Sequence, residues 1–499
     1  MKDETHEHAS GAPLDVLIIG AGLSGIGCAC HLTRALPGKR YAILEMRDDI
    51  GGTWDLFRYP GIRSDSDLFT FSYDFKPWRG RKVIAGADDI MAYLREAAKE
   101  HDVLPNIRFG RKVLSADWDS ARAVWTVTAE DTSTGQITKV TARWLFGATG
   151  YYDYDQGFRP DFPGEARFKG QIIHPQHWPE ELDPTGKRFA VIGSGATAVT
   201  LVPALAEQAA HVTQVQRTPS YILPVPSEDG LANLLRRFLP ERTVYAISRR
   251  KHVLRQRYVW LLCQRFPQLA RNLIRRANVA ALPKGFDVDR HFNPPYDPWD
   301  QRLCAVPDGD FYESLKSGKA SIETGVIETF TEDGVRMQDG TEVPADVIVT
   351  ATGLNLKLFG GAVLSLDGVE VNPAERLVFK GMMLDGVPNY AFAVGYTNSS
   401  WTLKVGLLCR AFCDMIAYMD ARGLAVVTPE RPEGAVAERP LMDFDAGYVK
   451  RALHILPKQG DAAPWEMTFN YIEDARLQRR TPIDDPALKF SALPQHAPS

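Results

Sequence analysis

Two glycine-rich segments, each preceded by a short apolar run, constrain the fold of this chain more than any other feature. Leu14–Ile19 leads into G-A-G-L-S-G at Gly20–Gly25, and Arg188–Ile192 leads into G-S-G-A-T-A at Gly193–Ala198. Each apolar run is typical of a buried parallel strand, and each glycine-rich segment opens a helical stretch. A strand, a tight turn and a helix in this order bind a pyrophosphate at the helix N-terminus. The pattern predicts an α/β fold with two Rossmann-like dinucleotide-binding domains.

The two predicted sites differ at the residue that ends the next strand. In the first, Tyr41–Leu44 is followed by Glu45, where a carboxylate can bind the ribose hydroxyls of an adenosine. In the second, the strand over Val212–Gln216 is followed by Arg217. A carboxylate would repel a 2′-phosphate, whereas a guanidinium can bind one through two parallel hydrogen bonds. We therefore expect FAD at the first site and NADPH at the second.

The predicted cofactor contacts follow from these two patterns. Ala198 occupies the third glycine position of the second pattern, and this dinucleotide-binding pattern tolerates alanine there. At the first site the predicted contacts are Gly20, Gly22, Ser24, Gly25 and Glu45. At the second site they are Gly193, Ser194, Gly195, Ala196, Thr197, Ala198, Val199, Arg217 and Thr218.

The composition indicates in which cellular compartment the protein resides. The 499 residues include six scattered cysteines without a C-x-x-C pair, which favours a reducing compartment and argues against a disulfide framework or a metal site. The first dozen residues lack the apolar core of a secretory signal, and no apolar run reaches the length of a membrane-spanning helix. We therefore expect a cytoplasmic protein.

Residues 231–280 form a strongly basic segment. It holds twelve Lys or Arg residues against the single acid Glu241, a local charge of +11 in a chain whose total is −4. Apolar residues recur in it at helical spacing, which predicts a helical insert. Three roles stay open: a lid packed over the active site, a peripheral patch on an anionic membrane surface, and nucleic-acid binding. The last is disfavoured because no nucleic-acid-binding module is present.

Four further segments carry a recognisable residue pattern. They are G-G-T-W at 51–54, R-Y-P-G-I-R-S-D-S-D-L at 58–68, F-x-G-x-x-x-H-x-x-x-W-P at 168–179, and P-P-Y-D-P-W-D-Q-R-L-C at 294–304. In this order they resemble the Baeyer–Villiger monooxygenases, which are class B flavoprotein monooxygenases. The similarity is greatest to the subgroup that contains the ethionamide-activating monooxygenase. Trp54 stands where the related disulfide reductases carry a redox cysteine, so that branch is excluded.

The resemblance implies a division into domains. In this superfamily two strands that end in A-T-G bracket an inserted domain, and here such strands end at Gly150 and Gly353. We therefore expect a discontinuous FAD-binding domain over 13–152 and 342–490. A linker with the 168–179 fingerprint should occupy 153–183, and an NADPH-binding domain should occupy 184–341, including the insert at 231–280.

The resemblance also implies site residues. Arg302 matches the catalytic arginine of the family, and Asp65 matches the active-site aspartate that orients it. Further flavin contacts are expected at Thr53, Trp54, Asp55, Leu56, Arg63, Ser64, Asp65 and Val113. The family's lysine before the arginine, which helps to bind the 2′-phosphate, is Gln301 here, and this departure weakens the expectation of strict NADPH preference.

The reaction implied by the resemblance is the insertion of one oxygen atom from O2 beside a ketone carbonyl, through a C4a-peroxyflavin. Lipophilic or linear aliphatic ketones would give esters or lactones, with side activity on sulfides or thiocarbonyls. Oxidation mainly at sulfur or nitrogen is the alternative outcome. An uncoupled NADPH oxidase would need the same cofactors, and a non-catalytic NADPH sensor would not need Asp65 or Arg302.

Overall fold

A computed structural model describes residues 12–301, 303–431, 436–442, 446–480 and 482–493. Within these residues the larger sheet has nine strands, with Ile137–Gly147 at its centre. The first half of that strand pairs antiparallel with Val124–Asp131, and its second half pairs parallel with Leu14–Ile19 and Tyr390–Phe392. In spatial order the other strands are Val369–Glu370, Val363–Leu366 and Arg111–Asp119 on the antiparallel side, and Tyr41–Leu44 and Ile107–Arg108 on the parallel side.

The strand Leu14–Ile19 shows why the larger sheet is covered on both faces. Val16 and Ile18 belong to one buried hydrophobic cluster, and Leu17 and Ile19 belong to another. Because side chains alternate across a strand, an unbroken apolar run places a buried side chain on each face.

The second sheet is a parallel one, as the second glycine-rich segment predicts. Its five strands among the described residues are, in spatial order, Ala320–Thr324, His211–Gln216, Arg188–Ile192, Val347–Thr350 and Gln171–Ile173.

The predicted domain boundaries need correction at two of these strands. Gln171–Ile173 lies in the expected linker, and Val347–Thr350 lies beyond the expected end at residue 341. An apolar run that ends in A-T-G has the same pattern in either sheet, so the sequence does not show which sheet it joins. The rest of the predicted division stays a prediction.

The remaining elements are shorter. The small sheets pair Ile222–Val225 with Cys304–Pro307, Ile327–Thr331 with Gly334–Met337 and Glu342–Pro344, Val378–Phe379 with Met383–Leu384, Val426–Pro429 with Leu488–Ser491, and Arg439–Pro440 with Lys458–Gln459. The α-helices are Leu23–Ala35, Thr53–Leu56, Leu68–Phe71, Ala87–Glu100, Ala196–Ala206, Gly230–Leu235, Glu241–Arg265, Pro267–Ala281, Val288–His291, Asp310–Lys316, Trp401–Ala421, Gly447–Ala452 and Tyr471–Arg480. Short 3-10 turns lie at Leu104–Asn106, Glu165–Arg167, Pro175–His177, Leu358–Gly361 and Pro373–Glu375.

The chain crosses between the two sheets twice, and the two crossings pair with each other. Tyr152–Gly157 and Leu354–Leu356 form an antiparallel ribbon. His174 of the fingerprint lies against this ribbon: its Nδ1 accepts from the backbone N–H of Gln176 at 3.2 Å, so Nε2 carries the proton and donates to the Gly353 carbonyl at 3.2 Å. Burial lowers the pKa of the His174 imidazole, in agreement with this neutral form.

Glycine is required where the fingerprint packs closely. A Cβ at Gly157 would lie 2.0 Å from Cε1 of His174, and a Cβ at Gly170 would lie 2.3 Å from the Asp346 carbonyl oxygen. Both positions therefore require glycine because a side chain would not fit.

The basic insert is helical, as predicted. Its helix Glu241–Arg265 buries Tyr245, Ser248 and His252 on one side. All six cysteines are buried, and none of them forms a disulfide. Among the residues that the structure describes, none of the helices combines the length and the hydropathy needed to cross a bilayer.

We predict that Gly157→Ala destabilises the protein through the contact with His174. Overpacking of this kind costs about 1–3 kcal/mol, so the midpoint of urea unfolding should fall. Gly38→Ala is the matched control, because an added Cβ there meets nothing within 4 Å. Equal unfolding midpoints for the two variants would show that His174 does not restrict this position.

Candidate active site

A cavity of about 670 Å³ lies between the two glycine-rich segments. Its wall includes Gly20, Gly22 and Ser24 of the first segment and Ala196 and Val199 of the helix that follows the second. This volume is in the range of cavities that bind cofactors and small ligands.

The first glycine-rich segment has the geometry of a pyrophosphate site. Gly20 has φ of 103°, and a Cβ at Gly25 would lie 1.9 Å from the Gly20 carbonyl oxygen, so only glycine is tolerated at both positions. Gly22 precedes the helix Leu23–Ala35 and caps it without a side-chain hydrogen bond from any described residue. The first backbone N–H groups of that helix are therefore available for a phosphate.

Glu45 lies beside this turn, as predicted. Its Oε2 accepts from the backbone N–H of Ala21 at 2.6 Å, and its Oε1 accepts from that of Arg47 at 2.9 Å. Burial raises the pKa of the Glu45 carboxyl, and these two hydrogen bonds oppose the shift. The carboxylate thus holds the turn and faces the cavity, where it fits the ribose hydroxyls of a bound FAD.

The G-G-T-W segment is divided between the cavity and the protein interior. Thr53 and Trp54 line the cavity. Asp55 is buried beside it and pairs with Arg47 at 2.6 Å and Arg58 at 3.2 Å. The side chain of Leu56 belongs to the hydrophobic cluster of the second sheet. Neither Asp55 nor Leu56 is among the residues that line the cavity, and their contact with the cofactor stays a prediction.

The next segment also forms part of the cavity wall. Arg63, Ser64 and Asp65 all line the cavity, as does the predicted contact Val113. Arg63 forms an ion pair with Asp310, which ties this loop to a helix beside the second sheet. Asp65 is exposed towards the cavity, as a residue that acts on bound groups must be.

The predicted catalytic Arg302 lies outside the described residues. On its two sides, Trp299, Leu303, Cys304 and Ala305 line the cavity. The segment that carries Arg302 therefore borders the same space as Asp65.

The second glycine-rich segment repeats the geometry of the first. Gly193 has φ of 145°, and a Cβ there would lie 2.3 Å from the Ala351 carbonyl oxygen. Gly195 precedes the helix Ala196–Ala206 and caps it without a side-chain hydrogen bond from the residues described. Arg217 is exposed and forms no ion pair with another described residue, which fits binding of a phosphate. The remaining predicted contacts lie around this turn: Ser194 accepts from Ser220 at 3.1 Å, Ala198 is buried, and Thr197 and Thr218 are partly exposed.

Two further segments line the cavity. The insert contributes Arg255, Gln256 and Val259. The segment Tyr396–Ser399 also lines it, together with Trp401, whose Nε1 donates to Ser24 Oγ at 2.9 Å. The insert residues were not predicted as site residues, because polar positions in a basic helix are usually solvated. Their only sequence signal is that Arg255 and Val259 lie one helical turn apart.

Comparison with known families identifies the chain. Residues 82–382 match the family described as flavin-binding monooxygenase-like, and residues 18–79 match an NAD(P)-binding Rossmann-like domain. The chain belongs to the flavin-binding monooxygenase-like family.

Members of this family resemble the chain over nearly its whole length. It is 51% identical to FAD-containing monooxygenase EthA of Mycobacterium tuberculosis over 482 residues, covering 96% of this chain and 98% of the relative. It is 45% identical over 479 residues to probable FAD-binding monooxygenase AlmA of Acinetobacter baylyi, covering 96% of each.

Solved structures agree in fold. A steroid monooxygenase bound to NADP has a TM-score of 0.76 at 24% identity, and an ε-caprolactone-bound cyclohexanone monooxygenase has 0.73 at 21%. Each match covers 96% of this chain and 100% of the other. These comparisons confirm the predicted family and fold class.

We predict that Glu45→Gln weakens FAD binding. In the glutamine an NH2 group replaces one carboxylate oxygen. This group is a donor and faces a backbone N–H, so one hydrogen bond is lost. Loss of a hydrogen bond to a charged group costs about 1.5–3 kcal/mol. Titration of the apoprotein with FAD should therefore show a dissociation constant raised roughly tenfold or more. Glu370→Gln, on an exposed strand, is the control, and the same FAD affinity in both variants would refute the role of Glu45.

Proposed function

We propose that this protein is a FAD-containing, NADPH-dependent Baeyer–Villiger monooxygenase, which converts lipophilic or linear aliphatic ketones to esters or lactones. One observation carries the proposal. A single cavity is bordered by the first glycine-rich turn, by Asp65, by the residues on both sides of Arg302, and by the helix that follows the second glycine-rich turn. The residues at the first turn fit FAD, and the exposed Arg217 fits the 2′-phosphate of NADPH.

The protein's own groups have separable roles in this proposal. FAD held at the first glycine-rich turn would supply the redox chemistry, which is hydride uptake from NADPH and activation of O2. The Arg302 guanidinium stabilises the negative charge that develops on the ketone oxygen, and the Asp65 carboxylate orients that guanidinium. The cavity wall opposite these groups excludes water from the reacting atoms.

The lining of the cavity supports a lipophilic substrate. Apolar side chains on several segments face it: Phe71, Val83, Ile84, Leu223, Val225 and Val259. Such a wall binds an alkyl chain by burial of apolar surface. Sulfides and thiocarbonyl compounds share this lipophilic character, and we propose them as substrates of a side activity.

We also propose that the insert docks on the anionic inner face of the cytoplasmic membrane. Its outer surface combines exposed apolar side chains with unpaired arginines. The apolar side chains are Leu231, Leu234, Phe238, Leu239, Ile247, Tyr258, Leu261, Phe266, Leu269, Leu273 and Val279. Exposed arginines that form no ion pair with a described residue include Arg237, Arg242, Arg250, Arg265 and Arg276. Anionic lipid headgroups complement this charge, and apolar side chains enter the interface beside them.

We predict that Arg302→Ala retains FAD but loses ester formation. Removal of one group that stabilises developing charge costs about a hundredfold or more in turnover. Product formation from a linear ketone is measured by gas chromatography, and retained FAD is measured by absorbance. Arg79→Ala, at an exposed position away from the cavity, is the control. Normal ester formation by Arg302→Ala would contradict the proposed mechanism.

We predict that the protein sediments with vesicles containing phosphatidylglycerol at low salt and stays in the supernatant with pure phosphatidylcholine. Arg250→Glu with Arg276→Glu should abolish sedimentation, because each substitution reverses one charge at the proposed surface. Arg79→Glu with Lys139→Glu makes the same change in net charge outside the insert and should leave sedimentation intact. The membrane proposal fails if the wild type does not sediment or if both double variants lose binding equally.

A further inference from the structure

Gln256, on the inner side of the helix Glu241–Arg265, joins the insert to two segments on the flavin side of the cavity. Its Nε2 donates to Asp67 Oδ2 at 2.9 Å and to Thr70 Oγ1 at 3.1 Å. Its Oε1 accepts from Ser399 Oγ at 2.6 Å. The side chain also lines the cavity. One amide thus connects three separate parts of the chain.

The chemistry of its partners fixes the orientation of this amide. The Asp67 carboxylate can only accept, so the nitrogen of the amide must face it. The remaining carbonyl oxygen then faces Ser399, whose hydroxyl can donate. A residue that offered only acceptors at position 256 would break the bonds to Asp67 and Thr70.

A second residue of the same helix reinforces the contact with Asp67. His252, one turn earlier, is 2% exposed, with Nε2 2.8 Å from Asp229 Oδ2 and Nδ1 3.3 Å from Asp67 Oδ2. Burial by itself raises the pKa of the Asp67 carboxyl, but the adjacent His252 imidazole and the hydrogen bonds from Thr70 hold it below its ordinary value. Asp67 is therefore a buried anion that the insert helps to stabilise.

Each segment that Gln256 binds continues, within two residues, to a residue at the proposed flavin site. Asp67 caps the helix Leu68–Phe71 by accepting from the Thr70 N–H at 3.0 Å, and it lies two residues after Asp65. Ser399 lies two residues before Trp401, whose indole donates to Ser24 of the first glycine-rich turn. A shift at residue 256 would therefore move both walls of the cavity.

We propose that Gln256 is a positioning residue through which the insert sets the geometry of the flavin site. It holds the segment of Asp65 and the segment Tyr396–Trp401 at a fixed separation, so that NADPH oxidation stays coupled to oxygen transfer. The coupling part rests on the proposed monooxygenase function, whereas the structural part concerns the environment of bound flavin alone.

The test replaces the side-chain amide nitrogen of residue 256 with an oxygen. Gln256→Glu keeps the shape but removes both donors and places a second carboxylate against Asp67. Gln264→Glu makes the same substitution on the same helix at an exposed position and is the matched control. Gln256→Glu combined with Asp67→Asn restores one donor and one acceptor in exchanged positions, and asparagine still caps a helix.

Two readouts are measured on the FAD-loaded proteins: the visible absorption and circular dichroism of the flavin, and the oxygenated product formed per NADPH consumed. Gln256→Glu should shift the flavin spectrum and lower the product ratio at least fivefold, with hydrogen peroxide making up the difference. Gln264→Glu should match the wild type, and the double variant should recover at least half of both losses.

Distinct outcomes separate this inference from the proposed function. An unchanged flavin spectrum in Gln256→Glu, or a double variant no better than Gln256→Glu, would overturn the positioning role. If the wild type forms no oxygenated product, the proposed function fails while the spectral comparison still decides the role of Gln256. Should Gln256→Glu not fold, Gln256→Met removes the same hydrogen bonds without adding a charge and gives the same spectral test.

Discussion

The paired crossing between the two sheets is the constraint on which the rest of the structure depends. Tyr152–Gly157 leaves the larger sheet, and Leu354–Leu356 returns to it, in one antiparallel ribbon. His174 binds the Gly353 carbonyl at the base of this ribbon, and Gly157 leaves room for its ring. Because both crossings are held together, the first glycine-rich turn and the helix that follows the second border one cavity. A hydride donor and a flavin bound at these turns can meet only if that geometry is kept.

The insert closes this cavity from the side. The inner face of the helix Glu241–Arg265 contacts the segment from Asp67 to Tyr73, where Arg249 donates to the Phe69 carbonyl at 2.7 Å and to the Ser72 carbonyl at 3.0 Å. The other side of this helix carries exposed Ile247, Tyr258 and Leu261 together with Arg242, Arg250 and Arg265. A wall of the site and the proposed docking surface are thus two faces of one helix, and the two roles expected for the insert do not exclude each other.

Much of the site could be predicted because its residues act through the backbone. Gly20 and Gly25 are identified by spacing alone, since a Cβ at either position would strike the chain. Glu45 could be placed because the ribose lies at a fixed distance from such a turn. By contrast, Asp55 and Leu56 were expected at the cofactor from the resemblance alone, and in the structure Asp55 forms ion pairs with Arg47 and Arg58 while Leu56 packs in a hydrophobic cluster.

Other features depend on long-range packing that local patterns do not encode. The strand Val347–Thr350 joins the second sheet, although its A-T-G ending is shared with the strand Ile137–Gly147 of the first. Gln256 and His252 contact partners about 190 positions earlier in the chain, and nothing in a basic helical segment distinguishes these positions from solvated ones. Which residues of the insert line the cavity and which are exposed could be seen only in the structure.

Isotope labelling tests the central claim most directly. The FAD-loaded protein is supplied with NADPH, a linear aliphatic ketone and ¹⁸O2, and the product is analysed by mass spectrometry. The account predicts an ester that carries one ¹⁸O atom for each NADPH consumed. Oxidation of NADPH that yields only labelled hydrogen peroxide, with the ketone recovered unchanged, would contradict it.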